Sequence, residues 1–389
     1  MSRPTEPLGF ADVGLLSPVW AGTAVESLTS DVAVADAMTR FEIALVGALA
    51  GVSVPEVAAP ASGVRDLALA AVHTGNPTVP LLEAIREGLS EEQTQILHHG
   101  ATSQDAVDTA LMLVAERSLE AVEADLTTVA GRLADLSRRH RDTACVARTL
   151  TQQAMPTTLG FRIATWLAGV HDALAAVRAC RPLPVALGGP VGTAAAYGTG
   201  GPDVLAHLAA TVGLGVPVIA WHTRRTPVLA LAAALAAVGQ ACGRIAEDVL
   251  LMAQTEIGEA DDGSAGQSSA MAHKANPTRS VLVASAARQL PGLLASVASA
   301  GLGSSERPAG EWHAEWQPLR TMVRLAGAAA ERTVDVAERM SFDTGAMRRN
   351  LDLLVSALDE DEDWVSRQTA HVGVWVDRVL ARHDEVCPS

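Results

Sequence analysis

The sequence predicts an all-α protein built on a long central helical bundle that forms a tetrameric core. Three observations predict it. Hydrophobic residues make up 49% of the 389 residues but aromatics only 3%, so the core must be built from Ala, Leu and Val, the vocabulary of packed helices rather than of β-sandwiches. Five segments keep a helical apolar spacing for longer than the usual ~11–12 residues. Helices this long and this rich in Ala and Leu carry more apolar surface than one chain covers, which predicts a homotetramer.

The elements follow in chain order. Asp31 to Leu49 has helical spacing, with Ser30 or Asp31 as its N-cap. Further short helices precede Thr102. A long helix runs from Ser103 to about Arg139, its polar face marked by Glu116, Glu120 and Glu123. A second spans Thr157 to Cys180, with Pro156 just before it. The Gly- and Pro-rich segment from Pro182 to Gly201 reads as a loop. A third long helix follows Pro227 and reaches about Ile257. Its most apolar run, Val228 to Val238, is too short to cross ~30 Å of lipid and reads as buried. A fourth starts near Pro277 and ends near Ala300, and a fifth runs from about Glu315 to Met340. Trp312 and Trp316, spaced i, i+4, pack one face of a helix end. The acidic run from Asp359 to Asp363 lacks the spaced glycine and ligand pattern of a metal loop and reads as a solvated turn. These elements divide the chain into an N-terminal helical domain (1–101), a central long-helix domain (102–343) and a short C-terminal segment (344–389).

A net charge of −15 argues against nucleic acid as a partner, and obliges any anionic substrate to find local positive charge. Cys145, Cys180, Cys242 and Cys387 are far apart and form no C-x-x-C pair, as expected of free thiols in a cytoplasmic protein. The first residues lack the apolar core of a signal peptide, and no membrane partner is expected.

The chemistry concentrates in Gly266-Gln267-Ser268-Ser269-Ala270-Met271-Ala272-His273-Lys274-Ala275-Asn276-Pro277. Small residues let a backbone approach a ligand closely. A serine backed by amides and an ammonium is set to exchange a proton, and Lys274 and Asn276 supply donors for a carboxylate. A second segment, His98-His99-Gly100-Ala101-Thr102-Ser103-Gln104-Asp105, places hydroxyls where a helix begins and its free amides attract a carboxylate; an ordinary N-cap reads the same way. A third is Arg148-Thr149-Leu150-Thr151-Gln152-Gln153.

Together these segments resemble the fumarase/aspartase superfamily, whose signature is G-S-S-x-M-P-x-K-x-N-P. Gly75 to Leu81, Trp221 to Pro227 and Glu306 to Trp316 are similar to its carboxymuconate cycloisomerase branch. The resemblance implies a tetramer whose active sites are shared between subunits. It also implies chemistry at a bond β to a carboxylate, through a carbanion delocalised into that carboxylate. No metal or organic cofactor is implied, because the substrate's own carboxylate takes up the electron pair. Ser268 becomes the proton-transfer residue, Lys274 and Asn276 stabilise the developing charge, and His98 contacts a substrate carboxylate, shuttles a proton or serves only as a structural hydrogen-bonding group. Thr102, Ser103, Arg148, Thr149, Gln153, Ser269 and Met271 fall at substrate-binding positions, with Arg225 and Arg307 as further cations for a di- or tricarboxylate. His273, His222 and His313 lie in matching motifs; His73, His140, His171, His207, His371 and His383 read as surface or capping residues.

Some positions depart from the pattern. Gln267 and Ala272 replace a glycine and a proline, the family's C-terminal helical domain is shortened, and Leu150 stands where members that cleave C–N bonds usually carry a histidine. The resemblance implies a cofactor-independent cycloisomerase. The alternatives are a β-eliminating lyase that releases fumarate from a substituted succinate and a non-catalytic tetrameric binding protein.

Overall fold

The computed structural model describes residues 12–51, 63–264, 266, 270–271 and 274–387. Five helices come first: α1 (Ala24–Leu28), α2 (Asp31–Ala50), α3 (Val64–Thr74), α4 (Thr78–Arg86) and α5 (Glu91–Ile96). The Ser30 hydroxyl caps α2 by accepting the Ala33 amide at 3.1 Å. Then follow α6 (Ser103–Arg139), α7 (Leu159–Cys180), α8 (Gly201–Val212), α9 (Thr226–Met252), α10 (Thr278–Ala300) and α11 (Glu311–Arg339). The C-terminal part folds as α12 (Thr344–Leu358), α13 (Glu362–Thr369) and α14 (Val372–Val386).

The five long helices fall where the periodicity places them, with three shifts, the first being that α9 stops at Met252 rather than near Ile257. Residues ahead of α7 pair instead as an antiparallel hairpin, β1 (Ala144–Thr149) with β2 (Gln152–Thr158). Pro156 has no amide to give a helix, and the Thr158 hydroxyl caps α7 by accepting the Phe161 amide at 3.2 Å. Helix α11 begins at Glu311 because Trp312 is buried and its indole donates to Asp108 Oδ1 at 3.0 Å. A second two-stranded sheet joins β3 (Ala260–Asp261) to β4 (Ser341–Phe342), so the protein is mostly helical rather than wholly α.

α9 and α10 pack antiparallel. A side chain at Gly239 or Gly243 would run into Leu290 and Ala287, so these glycines allow the close approach. Both helices have the length and hydropathy to cross a membrane, yet α9 buries Leu231, Leu235, Val238, Ile245 and Val249 in the core. The polar face of α6 is not simply solvated: Arg181 reaches Glu116 at 2.8 Å and Glu123 at 2.8 Å. All four cysteines are free. Only the first part of the acidic run is a turn: Asp361 caps α13 through the Trp364 amide at 2.8 Å, and Glu362 and Asp363 open that helix.

His171 and His383 are not surface residues. They stack between α7 and α14 with ring centroids 5.4 Å apart, and His171 Nε2 lies 3.2 Å from His383 Nδ1. Burial, then the neighbouring His383 and Arg382, push His171 down from 6.5 to about 4, with Asp172 opposing. His383 is also pushed down, by burial and then by Arg138, against Asp384 and Asp135. The unfolded chain therefore binds more protons than the folded one between pH 6.5 and about 4, and stability falls as pH falls through that window. The thermal midpoint should be lower at pH 5 than at pH 7.5, and His171→Phe should flatten that dependence. An equal acid loss in the variant would show that these rings do not carry it.

Candidate active site

The long helices sort the predicted residues to two ends of the bundle. At one end lies the N-terminus of α6. Asp105 is fully buried there and accepts four hydrogen bonds. Its Oδ1 takes His222 Nε2 at 2.6 Å and the Gly188 amide at 2.8 Å; its Oδ2 takes the Gly189 amide at 2.9 Å and the Thr102 amide at 3.0 Å. This single carboxylate fixes the half-buried Thr102–Ser103 turn against a glycine loop and His222. The i, i+3 spacing of Thr102 and Asp105 is a capping-box signal that would have singled Asp105 out.

His98 stands just ahead of that turn. Its Nδ1 is 2.7 Å from Oε1 of Glu42, a fully buried carboxylate of α2. Burial pushes the imidazole down, but the hydrogen bond and charge of Glu42, with Asp105 behind, outweigh it and hold His98 above 6.5; Arg86 opposes. Burial likewise pushes Glu42 up while His98 pulls it down.

Arg225 is not available to substrate. It is buried, and its fork grips Asp108 at 2.7 and 3.0 Å while the other edge grips Glu315 at 2.6 Å. Burial pushes Glu315 up and Arg225 pulls it back. Partners that saturate a guanidinium leave no donor for a ligand, so the expectation that Arg225 binds substrate is corrected. Arg307 is exposed at the same end, donating to Gln104 Oε1 at 3.2 Å and to the Pro190 carbonyl at 3.2 Å. Gln104 in turn donates to the His222 carbonyl at 2.8 Å.

At the other end the β1–β2 hairpin projects Thr149 and Gln153. Its tip, Leu150-Thr151, has φ of 49 and 69, and Leu150 is 96% exposed. Arg148 is committed to buried Glu259, donating at 2.8 and 3.0 Å, and Asn350 donates to the same carboxylate at 2.7 Å. These two bonds brace Arg148 against Glu259 and leave its remaining N–H donors for a ligand, and Gln153 donates to the Asn350 carbonyl at 3.3 Å. The serine loop is rooted beside this hairpin. The Asn276 amide donates to the Gly266 carbonyl at 2.9 Å, and a side chain at Gly266 would strike Asn276 and Thr278. Buried Asp262 clamps both ends of the loop, accepting the Ser264 amide at 2.9 Å and the Ser280 amide at 3.0 Å. Lys274 is exposed at this end, as is Met271. Ser268, Ser269, Gln267, Ala272 and His273 lie outside the described residues.

A helix of 37 residues is ~55 Å long at 1.5 Å per residue. The hairpin returns to the far end of α6, where the Gly160 amide donates to the His140 carbonyl at 2.8 Å. Thr102 and Thr149 of one chain are therefore separated by ~30 Å or more, well beyond the reach of one small carboxylate.

The sequence pattern of the family described as Lyase matches residues 71–292. A nitrosuccinate lyase of Streptomyces davaonensis is 42% identical over 373 residues, covering 90% of this chain and 79% of the relative. The chain belongs to the fumarase/aspartase lyase family. A 3-carboxy-cis,cis-muconate cycloisomerase of Bradyrhizobium diazoefficiens is 36% identical over 356 residues, covering 87% and 79% of the two chains. The 3-carboxy-cis,cis-muconate lactonizing enzyme of Pseudomonas putida shares the fold with a TM-score of 0.83 at 29% identity, over 96% of this chain and 99% of that one.

Proposed function

We propose that this family member is a cofactor-independent lyase that expels an anionic β substituent from a substituted succinate to give fumarate, with nitrosuccinate as the substrate. The observation that carries this reading is Leu150. It sits fully exposed at the hairpin tip, where members that cleave C–N bonds usually carry a histidine. Without an imidazole acid there, an amine has no proton donor on departure. Nitrite and carboxylate are stable anions and leave without one. The 42% identity to a nitrosuccinate lyase supports the first. The 0.83 TM-score to a carboxymuconate lactonizing enzyme supports carboxylate, and hence cycloisomerisation, as a second reading.

In the elimination, Ser268 removes a proton from the carbon beside one carboxylate. The electron pair delocalises into that carboxylate, and Lys274 and Asn276 stabilise the added charge. Collapse forms the C=C bond, breaks the C–N bond and releases nitrite and fumarate. Because Thr102 and Thr149 of one chain are too far apart, the site is completed by other copies, with His98, Thr102 and Ser103 from one subunit and the hairpin and serine loop from others. The 18-residue apolar window of α10 is only 28% buried within one chain, which leaves a face for such packing.

Incubation with nitrosuccinate should release fumarate and nitrite in equal amounts, read by NMR and by a colorimetric nitrite assay. Conversion of 3-carboxy-cis,cis-muconate alone would hand the assignment to the second reading. Light scattering at micromolar concentration should give a tetramer, and a monomer mass would rule out shared sites.

A further inference from the structure

Glu42 is a buried carboxyl group with a single partner. It is fully buried on α2, and its Oε2 has no hydrogen-bond partner among the described residues. Its other oxygen meets only His98 Nδ1, at 2.7 Å. A buried carboxylate with one partner costs stability that an apolar residue would not, which marks it as a functional group rather than a structural one. The partner is itself held unusually: His98 has φ of 60, a left-handed conformation uncommon for a residue with a Cβ. The ring is 20% exposed, and Nε2 has no hydrogen-bond partner among the described residues. One edge of the imidazole is thus held by the buried carboxylate, and the ring is part-exposed four residues ahead of Thr102.

We propose that Glu42 is a positioning residue for His98: its buried carboxylate takes the Nδ1–H and presents the Nε2–H outward as a cationic donor to a substrate carboxylate. This rests on the reading that the site takes a dicarboxylate. It gives the chain a local positive charge against its net −15. The groups facing the pair do not all act one way: burial disfavours the protonated ring, Asp105 of α6 favours it alongside Glu42, and Arg86 of α4 opposes more weakly. Tyr197 is neutral, since burial pushes its phenol up and its hydroxyl donates to the His99 carbonyl at 2.7 Å.

The test is an NMR titration of full-length protein labelled at histidine Cε1, with the His98 signal assigned from a His98→Asn variant. In the wild type, His98 should titrate above 6.5, and succinate should shift its signal. Glu42→Gln keeps an acceptor for Nδ1–H but removes the charge. Its His98 midpoint should fall by about one unit, and succinate binding should weaken ~10-fold at pH 8 and recover at pH 6. Glu42→Leu removes the acceptor as well and should weaken binding at both pH values. If the leucine variant does not fold, Glu42→Asp replaces it and should restore part of the wild-type midpoint. An unchanged midpoint in folded Glu42→Gln, or a wild-type His98 signal indifferent to succinate, overturns the proposal. A midpoint that falls in a protein converting neither nitrosuccinate nor carboxymuconate would sink the function reading and leave the Glu42–His98 pair standing.

Discussion

Ser268→Ala is expected to lower kcat ~10²–10⁴-fold, the usual contribution of a group that moves a proton in the transition state. The fold and the assembly should be unchanged. The roots of the loop are held independently of the serine, by the Asn276 amide on the Gly266 carbonyl at 2.9 Å and by the Asp262 carboxylate on the Ser280 amide at 3.0 Å. Succinate binding to the variant should stay close to that of wild type, because the lost interaction operates at the carbon acid and not at the carboxylates. Circular dichroism, light scattering and fumarate release, measured on one preparation, separate these effects. A correctly assembled variant that keeps more than about a tenth of wild-type kcat would remove Ser268 from the proton-transfer role.

Arg225→Met is expected to act on stability instead, by ~3–5 kcal/mol, because it strands two buried carboxylates. Asp108 would keep only the Trp312 indole at 3.0 Å and the Gln104 amide at 3.3 Å, and Glu315 would lose the contact that offsets its burial. The cost should appear as a lower urea midpoint with little change in slope. Adding Asp108→Asn and Glu315→Gln to the Arg225→Met variant should recover part of it, since no charge is then left unpaired. A variant with wild-type stability and a raised KM would return Arg225 to the substrate-binding role that its sequence context suggested.

Much of this protein was determined locally and was therefore legible in its sequence. The spans of α2, α6 and α10, the Ser30 cap and the buried character of Val228 to Val238 follow from a 3.6-residue period and short-range hydrogen bonding. The superfamily motifs were legible for the same reason, since the serine loop and the α6 turn are each continuous in the chain. The β1–β2 hairpin was hidden because Thr157 and Thr158 lead directly into a helix, and a local window does not reveal that they pair across to Ala144 and Cys145. Only the tertiary structure decided how the arginines are engaged. Arg148 and Arg225 sit in motifs that suit an anion, but their carboxylates are 111, 117 and 90 positions away in sequence, at Glu259, Asp108 and Glu315. Residue type sets what a guanidinium can bind, whereas packing sets whether a partner has already bound it. The same holds for His98, whose Nδ1 is held by Glu42, 56 residues earlier. The separation of Thr102 from Thr149 was likewise a matter of helix length and antiparallel packing. It places the motifs at opposite ends of one chain, and the proposed sharing of a site between chains rests on that separation.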